Sequence, residues 1–427
     1  MKILLKNAHI IDPSENIDQV ADILIVDGII KKIAPKISAS ENVQEYDLDG
    51  KIVAPGFIDM HVHLREPGYE HKETIETGLS AAATGGFTAV CCMPNTNPPI
   101  DDASVVKFIK EKSAKALNGL VDVYPVAAAT KNREGKELSP MIELVEAGAV
   151  AFSDDGSPIE NPEMMRRAVE YSNMLGKIII QHSEDRALAK LGVMNEGLVS
   201  TSLGLPPIPS IAEEILIDRD IRIAEYVGAP YHAAHISTAG SVEIIRQAKK
   251  KNLPVTCEVT PHHFTLTDDA VRTFDTNTKM NPPLRTQVDV DAIREGLRDG
   301  TIDVIATDHA PHSFDEKEVE FLEAPFGIVG LETAVGLAIT ELVIPKILSI
   351  NQLIEKFSIN PRKILSLPSV KIIVGEKANF TILDIQKQWN VDAKKFKSKS
   401  KNTPFGGRTL IGKCYAIINN GMIHFSD

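Results

Sequence analysis

The chain has 427 residues, of which 43% are hydrophobic and 24% charged, so it can bury a sizeable core and is not a disordered tail protein. Its formal net charge of −12 argues against general nucleic-acid binding, which needs a basic surface, but a few arginines could still hold an anionic substrate. The four cysteines are scattered and form no C-x-x-C pair, so we expect neither a disulfide framework nor a cysteine zinc cluster.

Both ends of the chain are rich in short strands. The apolar run 23–26 is closed by Asp27-Gly28, and the runs 414–418 and 422–425 flank the hairpin signal Asn419-Asn420-Gly421. This pattern predicts one small β-sandwich domain assembled from residues 1–52 and 375–427. No apolar stretch matches a signal peptide or a membrane span, so we expect a cytoplasmic protein without membrane contact.

The middle of the chain alternates strands with helical patterns. One helical pattern covers 103–117, and another covers 162–175, where Asn161 is a candidate N-cap. Eight such units predict an α/β fold, a (β/α)8 TIM-type barrel over residues 53–374. A doubly wound open sheet is less favoured because no Gly-rich dinucleotide turn follows the first strand. The eight strand-like runs are 56–60, 87–92, 121–126, 149–152, 177–180, 231–234, 254–259 and 303–306.

Polar side chains of metal-ligand type follow most of these strands. Since catalytic groups of barrel enzymes lie at the carboxyl ends of the strands, we expect them to meet at one rim. Their combination is much more informative than any single motif. The candidates are His61, His63 and Arg65 after the first strand, Asn95 after the second, Asp154 and Asp155 after the fourth, His182 after the fifth, His235 after the sixth, and Asp308 and His312 after the eighth.

The pair His61 and His63 has a direct mechanical interpretation. Side chains alternate along a strand, so His61, His63 and Arg65 should project to one face. Two neutral imidazoles can bind one zinc ion, and an arginine beside them can hold a substrate carboxylate through a forked pair of hydrogen bonds. A lone His-x-His is more often part of a surface strand, and it is the other rim residues that favour a metal site.

Several candidates have simpler interpretations when taken alone. His182 and His235 could each be core or loop histidines, and His232 competes with His235 although its offset of three points it to the other face. Asp155 could serve an Asp-Gly turn or could bridge two metals. Asp308 could be a general base, a metal ligand, or both. Loop polarity, or support of the site at most, is expected for Asp101, Asp102, Glu258, His262 and His263, and a solvated loop for the Lys/Ser run 394–401.

With these residues in view, the sequence resembles the dihydroorotases, specifically the longer bacterial type within the amidohydrolase superfamily. The similarity covers nearly the whole chain. It is carried by the segments 55–68 (PGFIDMHVHLREPG), 93–96 (MPNT), 152–156 (FSDDG), 281–285 (NPPLR) and 306–312 (ATDHAPH).

The resemblance implies a role for each site residue. His61 and His63 would bind one zinc ion together with Asp308, and His182 and His235 would bind a second, with Asp155 as the bridge. Two zinc ions per subunit are expected, and one is the alternative. Substrate contacts would come from Arg65, Asn95 and His312 toward a carboxylate, and from Asn281, Phe326 and Gly327 toward the ring or its amide. His63 would also contact the substrate.

The implied reaction is the reversible cyclisation of N-carbamoyl-L-aspartate to (S)-dihydroorotate plus water, a step of pyrimidine (UMP) biosynthesis. A zinc-held hydroxide would attack the ring amide, with Asp308 as general acid and base. Related hydantoinases and allantoinases carry a carboxylated lysine at the bridging place, whereas the fourth strand here ends in Asp154-Asp155.

Two alternatives stay open at this point. One is another cyclic-amide hydrolase, of hydantoinase or allantoinase type. The other is a non-catalytic relative that serves as a partner of aspartate transcarbamoylase, although the chain retains the whole ligand set. A homodimer is the family expectation, docking on aspartate transcarbamoylase is undecided, and the Glu-rich segment 313–324 is a candidate for a loop that moves over the site.

Overall fold

The computed structural model of the protein describes residues 2–38 and 43–426. The strands within these ranges are β1 Lys2–Asp12, β2 Ile17–Val26, β3 Ile29–Ala34, β4 Gln44–Asp47, β5 Ile52–Pro55, β6 Phe57–Val62, β7 Phe87–Cys92, β8 Asp122–Ala127, β9 Ala151–Phe152, β10 Ile179–Gln181, β11 Met194–Asn195, β12 Pro207–Ile208, β13 Tyr231–Ala233, β14 Val255–Val259, β15 Val304–Ile305, β16 Phe380–Asn390, β17 Thr409–Asn419 and β18 Met422–Phe425.

The α-helices lie mainly between the barrel strands. They are α1 Ile75–Gly85, α2 Ala103–Lys115, α3 Met141–Ala147, α4 Pro162–Met174, α5 Arg186–Ala189, α6 Leu198–Leu203, α7 Ile211–Val227, α8 Ala239–Lys250, α9 Gln287–Asp299, α10 Phe314–Lys317, α11 Ala334–Ala338, α12 Ile350–Ile354 and α13 Asn360–Ile364. Short π-helical turns, Ile339–Val343 and Glu355–Ile359, extend α11 and join α12 to α13. None of the helices in the described ranges combines the length and the apolar composition that crossing a membrane requires.

The limits of the helices follow from local chemistry. The side chain of Asn161 accepts hydrogen bonds from two backbone N–H groups of the first turn of α4, and Pro162 occupies its first position, as predicted. The predicted helix 103–117 ends two residues earlier, at Lys115. Leu117 and Asn118 adopt left-handed backbone conformations with φ of 48° and 55°, which an α-helix cannot continue through.

Eight parallel strands form the barrel, in the order β15-β14-β13-β10-β9-β8-β7-β6. The ring closes between β6 and the residues that follow β15. There Val62 and His309 form a parallel bridge, and His63 N donates to His309 O at 2.8 Å. All eight predicted strands are present, and the predicted fold class is confirmed. Closure sets the end of the first strand, which carries His61, beside the end of the eighth, which precedes Asp308.

The terminal strands form a second sheet, in the order β18-β17-β16-β5-β1-β2-β3, with β4 paired to β1. Its two halves join where β16 pairs with β5. Thr381 on β16 connects this sheet to the barrel, because its hydroxyl accepts from Phe57 N at 2.9 Å and donates to Gly86 O at 2.7 Å. The domain limits 1–52, 53–374 and 375–427 stay a prediction. The buried core of this sheet includes Ile3, Leu5, Ile10, Ile23, Ile25, Val53, Phe380, Ile382 and Ile418.

Candidate active site

The residues predicted to bind metal all lie at the carboxyl ends of the barrel strands. His61 is the fifth residue of β6, and the other five follow the ends of their strands. All are buried, with exposed fractions between 0% and 8%. The barrel geometry therefore brings together side chains that are up to 247 positions apart, from His61 to Asp308.

One group of donor atoms surrounds Asp308. Its Oδ1 lies 2.9 Å from His63 Nε2 and 3.7 Å from His61 Nε2. One ligand atom from each of these three residues lies within 4.8 Å of the others, which is compatible with a single metal ion between them. This is the trio that the resemblance assigns to the first zinc.

A second group of donor atoms surrounds Asp155. Its Oδ1 is 3.3 Å from His61 Nε2, 3.6 Å from His235 Nε2 and 3.7 Å from His182 Nδ1. Its Oδ2 is 3.6 Å from His63 Nε2. One carboxylate thus faces all four imidazoles, which is the position that a bridging ligand would need.

Two buried atoms at the centre of the cluster support a metal site. Among the described residues, neither His61 Nε2 nor Asp155 Oδ1 has a hydrogen-bond partner, although they face each other. Buried polar atoms are almost always satisfied, so such a pair indicates an absent ligand. Imidazole nitrogens and carboxylate oxygens are ligands that zinc accepts, and the residues present therefore fit the implied metal.

The electrostatics of the two aspartates agree with this fit. Burial alone would raise the pKa of Asp155, but the charge of His61 and the nearby imidazoles of His182 and His235 hold that pKa well below its usual range. Burial also opposes ionisation of Asp308, and the hydrogen bond from His63 outweighs it and lowers the pKa of Asp308. Both carboxyls are therefore ionised at neutral pH and available as ligands or as a base.

Asp154 plays a different part from its neighbour Asp155. Its Oδ1 accepts from Thr130 N at 3.0 Å, and its Oδ2 accepts from the Thr130 hydroxyl. Burial raises the pKa of Asp154 to about 6, against the effect of these hydrogen bonds. Asp154 thus binds the backbone and side chain of Thr130, while Asp155, the residue that the resemblance implies as the bridge, faces the histidines.

Glu258 supports the site from behind His61, which is the larger of the two parts that the sequence left open for it. Its Oε1 lies 2.7 Å from His61 Nδ1, and its Oε2 lies 3.4 Å from His232 Nε2. Burial would raise the pKa of Glu258, but His61 and His232 outweigh it and lower it to about 2. A signal was present in the sequence, because a glutamate inside the apolar run 254–259 needs a buried partner.

The backbone is strained at three of the site residues. Arg65, His235 and Asp308 have φ values of 61°, 28° and 48°, in the left-handed region that residues with a side chain rarely adopt. Such strain clusters at functional sites, where packing maintains it. It also changes the explanation for Arg65: β6 ends at Val62, so strand alternation cannot place Arg65 beside the histidines, and a left-handed turn does so instead.

A cavity of about 350 Å³ opens beside Asp155 and Asp308. Arg65 enters it with Nε bound to Pro311 O at 3.1 Å and Nη2 at 3.3 Å from His312 Nε2. The burial of His312 and the charges of Arg65, Lys317 and Lys72 lower the pKa of His312, so this imidazole is neutral. The predicted substrate-binding residues that line the cavity are His63, Arg65, Asn95, Asn281, His312, Phe326 and Gly327.

Two amides of the cavity wall are already anchored. Asn95 Oδ1 lies 2.8 Å from His63 Nδ1, and its Nδ2 lies 3.4 Å from Asp155 Oδ2. Asn281 Nδ2 donates to Glu184 Oε2 at 2.8 Å. The structure places both amides in the cavity, and their roles toward a substrate stay predictions.

The segment 313–324 is held against the barrel at both of its halves. It contains α10, and Glu316 Oε1 pairs with Lys72 Nζ at 2.7 Å. Lys317 Nζ donates to Thr276 O and Pro325 O at 3.0 and 2.7 Å, while Lys279 Nζ donates to Phe321 O at 2.9 Å.

The Lys/Ser run 394–401 differs from the predicted solvated loop. Its lysines are exposed, but Ser398 and Ser400 are buried. Ser398 Oγ donates to Glu73, and Ser400 Oγ donates to Lys72 O at 2.6 Å. The prediction was wrong for the serines, because alternating Lys and Ser leaves the small side chains free to face the barrel while the lysines face solvent.

Comparisons with known proteins agree with this geometry. Residues 50–241 match the model of a family described as dihydro-orotase-like. The dihydroorotase of Pelotomaculum thermopropionicum is 52% identical over 427 residues, which cover 100% of this chain and 99% of that protein. The dihydroorotase of Syntrophus aciditrophicus is 51% identical over 428 residues, covering 100% of both chains.

A solved structure of similar fold is the L-hydantoinase (dihydropyrimidinase) from Arthrobacter aurescens. It matches with a TM-score of 0.87 and 25% sequence identity, over 99% of this chain and 95% of that chain. The fold is thus shared with hydantoinases, whereas identity near 50% over the full length is shared with dihydroorotases. The chain therefore belongs to the dihydroorotase family and is a cyclic amidohydrolase.

Proposed function

We propose that the protein interconverts N-carbamoyl-L-aspartate and (S)-dihydroorotate plus water, a step of pyrimidine biosynthesis. The observation that carries this proposal is the presence of two kinds of group in one cavity of about 350 Å³. Asp155 and Asp308 with their histidines form a metal-type cluster, and Arg65 provides the cation that a carboxylate-bearing ring requires. The full-length relatives at about 50% identity carry the same name, dihydroorotase.

The proposal includes two zinc ions per subunit, with a single ion as the alternative. His61, His63 and Asp308 would hold one ion, and His182 and His235 would hold the other, with Asp155 facing both groups. When bound, zinc supplies a Lewis acid that polarises the ring carbonyl and lowers the pKa of water to about 7.

Asp308 is proposed to carry the proton. In the hydrolytic direction, a bond forms between the oxygen of water and the ring carbonyl carbon, and the bond from that carbon to the ring nitrogen breaks. Asp308, ionised because His63 lowers its pKa, takes the proton of the water and delivers it to the leaving nitrogen. In the cyclisation direction, the same carboxylate takes a proton from the carbamoyl nitrogen and gives it to the departing oxygen.

The remaining cavity residues are proposed to orient the substrate. Arg65, Asn95 and His312 would hold its carboxylate, and Asn281 with the Phe326-Gly327 backbone would contact the ring amide. Arg65 is well suited to this role because its guanidinium is held in place: Pro311 O accepts a hydrogen bond from Nε. Its Nη2 lies next to His312 Nε2, and both side chains line the cavity. Orientation of this kind contributes to catalysis by holding the reacting carbonyl close to its partners.

The decisive experiment uses the purified full-length protein loaded with zinc. We expect interconversion of the two compounds and a zinc-to-protein ratio near two. Complete inactivity on both compounds at full zinc loading would refute the proposal, and a ratio near one with full activity would replace the two-zinc site by the single-ion alternative. Hydantoin and 5,6-dihydrouracil, which lack the carboxylate, serve as controls: preference for them would indicate a hydantoinase-type activity instead.

The proposal extends to the assembly and location of the protein. We infer a homodimer in the cytoplasm, on the strength of the family resemblance. Light scattering of the purified chain tests the mass of the dimer. Co-purification with aspartate transcarbamoylase from the source cells tests whether the two enzymes associate.

A further inference from the structure

The segment 397–403, here called the strap, runs from the terminal β domain across the carboxyl end of the barrel. Backbone N–H groups of its first residues, Lys397 and Ser398, donate to Glu332 at 2.8 to 3.1 Å. Its middle is anchored to Glu73 and to the carbonyl of Lys72. The strap is therefore firmly attached before it reaches the cavity.

Asn402 is the strap residue that meets the cavity wall. It is 6% exposed. Its Oδ1 accepts from His312 N at 3.1 Å, and its Nδ2 donates to both Ala310 O and Gly327 O at 3.1 Å. The backbone carbonyl of Asn402 also accepts from Val329 N at 2.9 Å. One side chain thus joins the segment after β15, which carries His312, to the segment that carries Gly327.

The chemistry of this contact requires a primary amide of this length. The three backbone groups that Asn402 meets are one donor and two acceptors, and an asparagine side chain offers an acceptor oxygen and two N–H donors. A carboxylate would keep the bond to His312 N but would face Ala310 O and Gly327 O with no proton to donate. An apolar side chain would leave all three buried groups unsatisfied, which is costly.

The two segments joined by Asn402 supply contacts proposed for two different parts of the substrate. His312 is a contact for the carboxylate, and the Phe326-Gly327 backbone is a contact for the ring amide. A second link between them exists, since His312 Nε2 lies 2.8 Å from Phe326 O. That second link uses His312 Nε2, the ring nitrogen that also lies beside Arg65 and that a substrate carboxylate would need. The link through Asn402 uses the backbone N–H of His312 and leaves the ring free for the substrate.

We propose that Asn402 is a positioning residue that sets the spacing between the carboxylate contact at His312 and the ring contact at Gly327. This inference rests on the proposed function. It assigns the terminal β domain a direct part in the site, because the domain delivers Asn402 through the strap. The hydrogen bonds of the Asn402 side chain go to His312, Ala310 and Gly327 and not to the proposed metal ligands, so its effect should fall on substrate binding.

The test compares Asn402→Ala and Asn402→Asp in the zinc-loaded enzyme with dihydroorotate as substrate. We expect KM to rise roughly 10- to 100-fold in both, because the buried groups left without partners allow the two substrate-binding segments to move apart. We expect kcat within about 3-fold of wild type and an unchanged zinc content. Asn390→Ala, which alters an exposed asparagine of the same domain, is the matched control and should leave KM unchanged.

A double-mutant cycle with His312→Ala separates positioning from a general loss of structure. If Asn402 acts through His312, Asn402→Ala should raise KM much less in the His312→Ala background than in wild type. Equal effects in both backgrounds, or an unchanged KM in the single variants, would overturn the inference. If Asn402→Ala does not fold, Asn402→Asp, which is nearly the same size, decides the question. An inactive wild-type enzyme would instead refute the proposed function, so the two failures are distinguishable.

Discussion

Glu258 and Asp155 lie on opposite sides of the imidazole of His61: Glu258 Oε1 is 2.7 Å from Nδ1, and Asp155 Oδ1 is 3.3 Å from Nε2. The carboxylate of Glu258 accepts a hydrogen bond from His61 Nδ1, so Nε2 is the ring nitrogen directed at the metal-type cluster. Partners of this kind orient metal-binding histidines and raise their basicity. His232, 3.4 Å from the second oxygen of Glu258, supports the same arrangement.

The first prediction follows from this pair. In Glu258→Gln the side chain keeps its shape and can still accept from His61 Nδ1, but it loses the negative charge that raises the basicity of Nε2. We expect zinc affinity to fall by roughly 10- to 100-fold. Competition against a chelator of known affinity measures it. Glu225→Gln, at an exposed position on α7, is the control, and equal zinc affinity in both variants would contradict the role assigned to Glu258.

Asp308→Asn tests the proton-transfer role. Asparagine is nearly the same size as aspartate and keeps an oxygen beside His63 Nε2, but it cannot take up the proton of water. We expect turnover to fall by about 10²- to 10⁴-fold, which is the usual contribution of a general acid or base. Zinc content is measured on the same samples, because Asp308 is also a proposed ligand. Turnover close to wild type in a sample with normal zinc would refute the assignment.

Much of the fold could be predicted because buried parallel strands are continuous apolar runs. All eight barrel strands stand out in the sequence for this reason, and the polar residues that follow them, such as His182 and His235, stand out by contrast. The geometry of the rim then follows from the barrel itself, which is why residues far apart in sequence could be placed together.

Other features were beyond the reach of local patterns. Strand alternation was expected to place Arg65 beside the histidines. The side chain does line the same cavity as His63, but a left-handed turn after the end of β6 places it there. Asn402 lies 90 positions from His312, in a part of the chain that shows no barrel pattern, and only tertiary packing joins them. The same holds for Glu258 and His61, 197 positions apart.

Arg65→Met tests how the substrate carboxylate is held. Methionine retains much of the apolar stem but removes the charge and the forked donors, and a charged hydrogen bond of this kind contributes about 1.5–3 kcal/mol. We therefore expect KM for dihydroorotate to rise by roughly 10- to 100-fold, with a smaller change in kcat. Arg167→Met, at an exposed position on α4, is the control. An unchanged KM would count against the carboxylate role.

The last prediction concerns Lys317, a residue of the segment 313–324 whose amino group is buried against the carbonyls of Thr276 and Pro325. Burial, together with the charge of Lys279, lowers the pKa of Lys317 from 10.5 to about 7. Between these two values the unfolded chain binds more protons than the folded one, so this group makes the free energy of unfolding rise with pH. The rise is at most about 1.4 kcal/mol per pH unit.

Lys317→Arg should remove this dependence, because arginine stays protonated in both states. The measurement is the thermal unfolding midpoint of both proteins at intervals between pH 7 and 9.5. We expect the midpoint of the wild type to rise relative to that of Lys317→Arg across this range. The exposed Lys387→Arg should instead give a profile parallel to wild type. If the Lys317→Arg profile is also parallel, Lys317 keeps its proton in the folded protein, and the ammonium group is held charged by the carbonyls of Thr276 and Pro325.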